Sequence, residues 1–206
     1  TILGYGEMLA DTLPREQAQI AEEICSHAKR LNRMIVDFLD IERIESGTYS
    51  IQHLPFDLLE IITNAVTAIG PAAKCKELTI KTDLPGKCSP LLGDEMLVLQ
   101  AILNLLDNAV KFSFEGGKIL LQVTETPTTL ETSITDHGQG IADSQLKNIF
   151  SKFVRGDVKG NQPGFGLGLS FVKQITDAHQ GSITVQSNPG QTTFTLVLPK
   201  TDSPAI

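Results

Sequence analysis

The chain has 206 residues, 41% of them hydrophobic and 20% charged, enough for one full domain with a helical appendage. Its formal net charge of -7 excludes a general nucleic-acid binder, which needs a basic face, but not a nucleotide binder. The cysteines Cys25, Cys75 and Cys88 have neither disulfide-framework nor metal-ligand spacing, which suits a reducing, cytoplasmic setting, and no apolar run reaches the ~18–20 residues that span a bilayer. The opening at Thr1, without a start methionine, reads as part of a longer protein with room for upstream sensor or membrane-anchoring segments.

Residues 1–10 read as the end of a helix, and residues 14–45 as one long helix antiparallel to it. Thr12 is placed to cap the long helix, and Pro14 suits its first turn, where no N–H is needed. Ile20, Ile24, Leu31, Met34, Phe38 and Ile41 recur at heptad spacing, with His27 filling the gap. This seam predicts packing on other helices and a shielded, core His27. Ser46-Gly47 stops the helix, with Gly47 as a left-handed cap. The composition then changes. The patterns predict a strand over 49–56, an amphipathic helix over 57–73, a strand over 78–84 and a strongly apolar helix over 94–111. Hairpin strands come next over 118–125 and 130–136, then a short helix over 142–150 and a polar, glycine-rich loop over 151–164. A helix over 165–178 precedes a last hairpin, 182–186 with 192–198, turned by Asn188-Pro189-Gly190.

Four segments carry chemistry. In Asn104-Leu105-Leu106-Asp107-Asn108-Ala109-Val110-Lys111, the two asparagines and the lysine share one face of an otherwise apolar helix. Amide oxygens can ligate magnesium and the lysine can meet a phosphate, although a solvated edge on a core helix reads equally well. Asp136-His137-Gly138-Gln139-Gly140 ends a strand with a carboxylate able to accept from an exocyclic amine, beside glycines that admit a flat base; a plain turn is the alternative. Phe150-Ser151-Lys152-Phe153 would anchor the base of the loop, a lid over a nucleotide, with Arg155 just inside it. Gly164-Phe165-Gly166-Leu167-Gly168-Leu169 opens a helix whose first amides suit phosphate. It lacks the βαβ context of a dinucleotide fingerprint and the Lys-Ser/Thr of a P-loop.

In this order and spacing, the four segments resemble the N box, first glycine box, F box and second glycine box of sensor histidine kinases, members of the wider Bergerat-fold ATPases with gyrase and MutL. Asp40-Ile41-Glu42-Arg43-Ile44-Glu45-Ser46-Gly47 is similar to the exit of that family's dimerisation helices, and Gly190-Gln191-Thr192-Thr193-Phe194 to its closing strand. The resemblance implies an α+β fold. It would be a two-layer α/β sandwich, with a mixed five-stranded sheet and three helices, preceded by a partial antiparallel helical hairpin. It divides the chain into a partial dimerisation and histidine-phosphotransfer region (1–47), an ATP-binding catalytic domain (48–200) and a tail (201–206).

The resemblance also implies roles. Asn108 would ligate Mg2+ with Asn104 assisting, and Lys111 would touch the phosphates, making Asn104 and Lys111 the catalytic pair. Asp136 would bind the adenine amino group beside Gly138, Gly140 and Ile141. Phe150, Phe153 and Arg155 would line the lid. Gly164, Gly166 and Gly168 would hinge it, the amides from Gly166 through Leu167 to Leu169 would face the phosphates, and Thr192 would join an adenine water network. ATP and Mg2+ are the implied ligands, a response-regulator receiver domain the implied partner, and a homodimer through the hairpin the implied assembly. No nucleic acid and no membrane segment of this chain are involved. The implied activity transfers the ATP γ-phosphoryl group to a histidine and onward to a regulator aspartate.

The family's phosphoacceptor histidine precedes a Pro-Leu pair on the first helix, and Thr1-Ile2-Leu3-Gly4 looks like the sequence just after that box. None of His27, His53, His137 and His179 matches it, so no phosphoacceptor is expected in this chain. A nucleotide-sensing pseudokinase is one alternative. A hydrolytic Bergerat ATPase is another, but it would carry a glutamate base where Asn104 stands.

Overall fold

The computed structural model describes residues 2–154 and 166–200; the lid residues Arg155 and Gly164, with Phe165 and the tail 201–206, lie outside the described residues. The chain divides into two compact units, Thr1–Arg43 and Ile44–Ile206.

The first unit contains α1 (Ile2–Thr12) and most of α2 (Arg15–Glu45). Thr12 closes α1 rather than capping α2, because its hydroxyl donates back to Met8 O at 2.7 Å. The carbonyl of Pro14 instead receives the first α2 amides, those of Gln17 and Ala18, both at 2.9 Å. The helices meet over small side chains: Gly6, Ala21 and Cys25 are buried, and Cys25 Sγ donates to Leu3 O at 3.8 Å. In this single chain Ile20, Ile24, His27 and Leu31 of the predicted seam are exposed, Met34 and Phe38 are half-buried and Ile41 is buried. Gly47 ends α2 at φ 68°, the left-handed cap that glycine adopts at least cost.

The second unit is built on a five-stranded sheet. Its strands are β2 (Thr79–Asp83), β4 (Lys118–Glu125), β5 (Thr129–Asp136), β6 (Ser182–Asn188) and β7 (Gln191–Pro199), in the spatial order β2-β4-β5-β7-β6. The β2–β4 pair is parallel and the others are antiparallel, so the sheet is mixed. Strands β1 (Leu54–Phe56) and β3 (Leu91–Gly93) pair in a second, two-stranded sheet. Only the last three of the eight residues predicted as the first strand are extended, and their partner escaped the sequence reading.

Three helices pack with the large sheet: α3 (Leu58–Cys75), α4 (Glu95–Phe112) and α6 (Gly168–Ala178). Period-2 alternation sends Ile119, Leu121 and Val123 of β4, Leu130 and Ile134 of β5, and Phe194, Leu196 and Leu198 of β7 into the core. They meet Leu105 and Leu106 of α4, and Phe171, Val172 and Ile175 of α6, all buried. Burying side chains of this size contributes ~1.5–3 kcal/mol each. The short helix α5 covers only Asp143–Leu146.

Candidate functional site

Helix α4 is held firmly at both ends. Asp94, buried, caps its start by accepting Leu97 N–H at 3.2 Å on Oδ1, while Oδ2 accepts from Tyr49 OH and Gln52 N–H, each at 3.3 Å. The N–H of Asp94 itself donates to His179 Nε2 at 2.9 Å, and His179 Nδ1 donates to Ile175 O at 2.8 Å. At the other end, Lys76 Nζ donates to Val110 O at 3.0 Å and Lys111 O at 2.8 Å, a cation on the negative end of the helix. Between these clamps, Leu105, Leu106 and Ala109 face the core and leave Asn104, Asn108 and Lys111 half-buried on the other side. Lys111 Nζ lies 4.8 Å from the Phe112 ring centroid.

Asp136 is the last residue of β5 and continues its inward register, Leu130, Thr132, Ile134, so a carboxylate is delivered to the apolar face at only 4% exposure. Burial pushes its pKa up to about 6; the N–H of Gly138 and the neighbouring His137 offset this in part. Asp136 Oδ1 has no hydrogen-bond partner among the described residues. Across the sheet it faces Thr192 of β7, also buried, whose Oγ1 is 2.9 Å from Ser187 Oγ. Ser187 Oγ in turn accepts Ile141 N–H at 2.8 Å, fixing the loop after the glycines. Gly138 has no room for a side chain: a Cβ there would stand 2.1 Å from Phe112 O. His137 is exposed and bonded through Nδ1 to Lys118 O at 3.0 Å.

The F-box phenylalanines separate. Phe150 packs edge-on against Phe194 with centroids 6.4 Å apart, whereas Phe153 is 60% exposed. They do not share the predicted helix, which ends at Leu146, and Phe153 has φ 63°. Its N–H donates to Gly166 O at 2.9 Å, so the backbone closes the base of the loop. Helix α6 then begins at Gly168, three residues later than predicted. Its N-cap, Leu167, is buried and supplies no side-chain hydrogen bond to the first-turn amides. The carboxamide of Asn104 lies against this helix start. Its Nδ2 donates to Gln100 O at 3.1 Å, and its Oδ1 is 3.1 Å from the point where a Cβ on Gly168 would stand.

Two half-buried carboxamides on α4, an uncapped helix start facing one of them, and a desolvated carboxylate at a strand end form one candidate site. Residues 93–202 match the family described as histidine kinase-, DNA gyrase B-, and HSP90-like ATPase, and residues 1–47 match the His Kinase A (phospho-acceptor) domain. The chain belongs to the sensor histidine kinases. This histidine kinase is 32% identical over 184 residues to the sensor-like histidine kinase SenX3 of Mycobacterium tuberculosis, covering 88% of the chain and 45% of SenX3. It is 30% identical over 209 residues to the sensor protein KdpD of Escherichia coli, covering 100% of the chain and 23% of KdpD. It therefore spans less than half the length of these curated relatives. Among solved structures, full-length ShkA in complex with AMPPNP superposes with a TM-score of 0.82 at 25% identity, over 99% of this chain and 44% of ShkA. Histidine kinase AdeS of Acinetobacter baumannii, at 21% identity, shares the fold with a TM-score of 0.77 over 98% of this chain and 94% of AdeS.

The kinase fold thus brings together Asn104 with Gly168, Asp136 with Gly138 and Thr192, and Phe153 with Gly166. Sequence reading missed Lys76, Ser113, His179 and Ser187, which hold or border these residues. Each acts on a partner far away in the chain and belongs to no motif, so no local pattern marks it. Among the described residues no cluster of His, Cys, Asp or Glu could hold a metal, and no helix is long and apolar enough to cross a membrane.

Proposed function

We propose that this chain is the ATP-binding kinase core of a cytoplasmic phosphorelay enzyme, which transfers the γ-phosphoryl group of ATP to a histidine nitrogen and then to an aspartate of a response-regulator receiver domain. The carrying observation is Asp136: a carboxylate with an unpartnered oxygen at the end of a buried strand fits the 6-amino group of adenine. The start of α6 supports binding of the triphosphate, because its N-cap Leu167 supplies no side-chain hydrogen bond and the helix's first amides and dipole favour anions.

The residues present also fit Mg2+. Asn108 and Asn104 offer carboxamide oxygens, hard donors of the kind this ion takes, and Asn104 Oδ1 already points at the helix start. When bound, the ion would neutralise phosphate charge; Lys111 adds a cation on the same face of α4. In this domain the protein's own work is positioning: Asp136 and Gly138 orient the base, Ile141 and Thr192 flank it, and the amides of Gly166 to Leu169 hold the phosphates. Transfer breaks the bond from γ-phosphorus to the β–γ bridging oxygen and forms one to imidazole nitrogen, whose proton is released. That nitrogen belongs to none of the four histidines here. His179 has both ring nitrogens engaged and His137 is tied to Lys118. ThkA, a structural neighbour of this fold, has been solved in complex with the response regulator TrrA, which supports the same class of partner.

Calorimetry with AMPPNP and magnesium tests the site, and incubation with γ-labelled ATP tests the chemistry. The chain alone is expected to bind nucleotide and stay unlabelled, and an added acceptor hairpin to become labelled. Stoichiometric phosphohistidine on the chain itself would refute this assignment of the acceptor. Asn104 is an amide rather than a carboxylate base, so rapid hydrolysis of ATP is not expected.

A further inference from the structure

Among the described residues two buried side-chain polar atoms have no hydrogen-bond partner, Asp136 Oδ1 and Ser113 Oγ. The two residues are neighbours. Ser113, the C-cap of α4, pairs with Gly138 in an isolated antiparallel bridge, and Phe114 N–H donates to His137 O at 3.4 Å. A Cβ placed on Gly138 would stand 2.1 Å from Phe112 O and 2.9 Å from Asp136 Oδ1. The turn out of α4 and the end of β5 therefore converge on this one glycine, with an unpartnered polar atom on either side.

Ser113 is held in place by its backbone, not by its hydroxyl. Its N–H donates to Ala109 O at 3.0 Å, and Lys76 fixes the carbonyls of Val110 and Lys111 just before it. The residue is 3% exposed. A hydroxyl this deep is unfavourable without a partner, and the other orphan beside it is the group assigned above to the base.

We propose that Ser113 is a specificity-determining residue of the base pocket: its hydroxyl donates, directly or across one water, to the ring nitrogen flanking the 6-amino group that Asp136 accepts. This inference rests on the adenine reading of the site. The chemistry is complementary to adenine, whose amino group donates while N1 and N7 on either side accept. Guanine offers a carbonyl oxygen where Asp136 needs a donor, so a carboxylate paired with a hydroxyl selects between the two purines.

The test is calorimetry on the whole chain at constant pH with ATP, 1-deaza-ATP and 7-deaza-ATP, using wild type, Ser113→Ala and Ser113→Thr. Ser113→Ala is expected to weaken ATP about three- to tenfold, the worth of one hydrogen bond. That loss should vanish with whichever deaza analogue lacks the nitrogen Ser113 serves and persist with the other. Ser113→Thr, which keeps the hydroxyl, should stay within about twofold of wild type. Without nucleotide, Ser113→Ala should melt no lower than wild type, an outcome opposite to that of a structural hydrogen bond. Should the alanine variant not fold, Ser113→Cys carries the same analogue comparison with a weaker donor. Equal ATP affinity in wild type and Ser113→Ala, or an equal loss on both deaza analogues, overturns this inference alone. A wild type that takes no adenine nucleotide overturns the base assignment and this inference with it.

Discussion

The backbone N–H of Asp94 donates to Nε2 of His179 across 85 residues of sequence, at 2.9 Å. One imidazole thereby joins the start of α4, which carries the two asparagines, to the end of α6, whose start carries the second glycine box. His179→Ala leaves a buried N–H without a partner and opens a cavity beside Gly93. We expect a loss of about 2–4 kcal/mol of folding stability, measured by urea denaturation. Nucleotide affinity should fall by less than the stability does, because His179 touches neither asparagine nor Asp136.

A second expectation concerns Gly168. Its place against Asn104 Oδ1, at 3.1 Å from a would-be Cβ, leaves room for an added methyl only by pushing the carboxamide aside. Gly168→Ala should fold with a melting temperature close to wild type, since alanine suits a helix and the displaced atom is a side-chain tip. It should nevertheless weaken magnesium-nucleotide binding by about tenfold, with a smaller effect on nucleotide in the presence of chelator. Calorimetry with and without EDTA separates the two.

The pH dependence of the site has a definite sign. Asp136 is raised from the ordinary aspartate value to about 6 in the fold. The folded state therefore holds a proton that the unfolded chain has lost, and stability declines as pH climbs from about 4 to 6. The cost, complete above pH 6, is about 2–3 kcal/mol. Nucleotide binding runs the other way, because the ionised carboxylate is the better acceptor for an amino group. Affinity for ATP should rise as pH passes 6 and level off above 7, as read by titration between pH 5 and 8. Asp136→Asn should flatten that profile and bind at least tenfold more weakly at pH 7.5, while melting no lower than wild type there.

Far from the site, Glu125 accepts from Lys200 at 2.6 Å and from the hydroxyl of Ser89 at 2.7 Å, joining the end of β4 to the residue after β7. Hydrogen bonds from these two residues hold its pKa down to about 2. Its stabilisation is present above the ordinary glutamate range and is lost as pH falls from about 4.5 through about 2. Glu125→Gln should remove part of the acid slope of the melting temperature in that window and lower the melting temperature by a constant amount above pH 6, as calorimetric scans would show.

The large sheet and its helices were legible because their signals are local. Ile119, Leu121 and Val123 alternate within one strand, and Leu105, Leu106 and Ala109 mark one helical face. Where reading failed, the deciding contact was distant. The β1–β3 pair joins two three-residue segments, too short for periodicity to show. On α2 the apolar period marked Ile20 and Ile24 but gave no sign that α1 would pack on the small residues Ala21 and Cys25 beside them, because close helix approach needs little side chain. At the site, the boxes named Asn104, Asp136 and Gly168 but not Ser113 or Ser187, whose hydroxyls acquire meaning only from partners on other strands and turns.

Asp136 owes its inward aim to parity alone, as the fourth even-numbered member of a strand whose even positions face the helices. Inserting a single residue into the Thr126–Thr129 turn, or slipping β5 by one against β4, would send the carboxylate to solvent and put Thr135 in its stead. If Asp136 reads the base as proposed, strand registry and the ability to tell one purine from another become a single requirement.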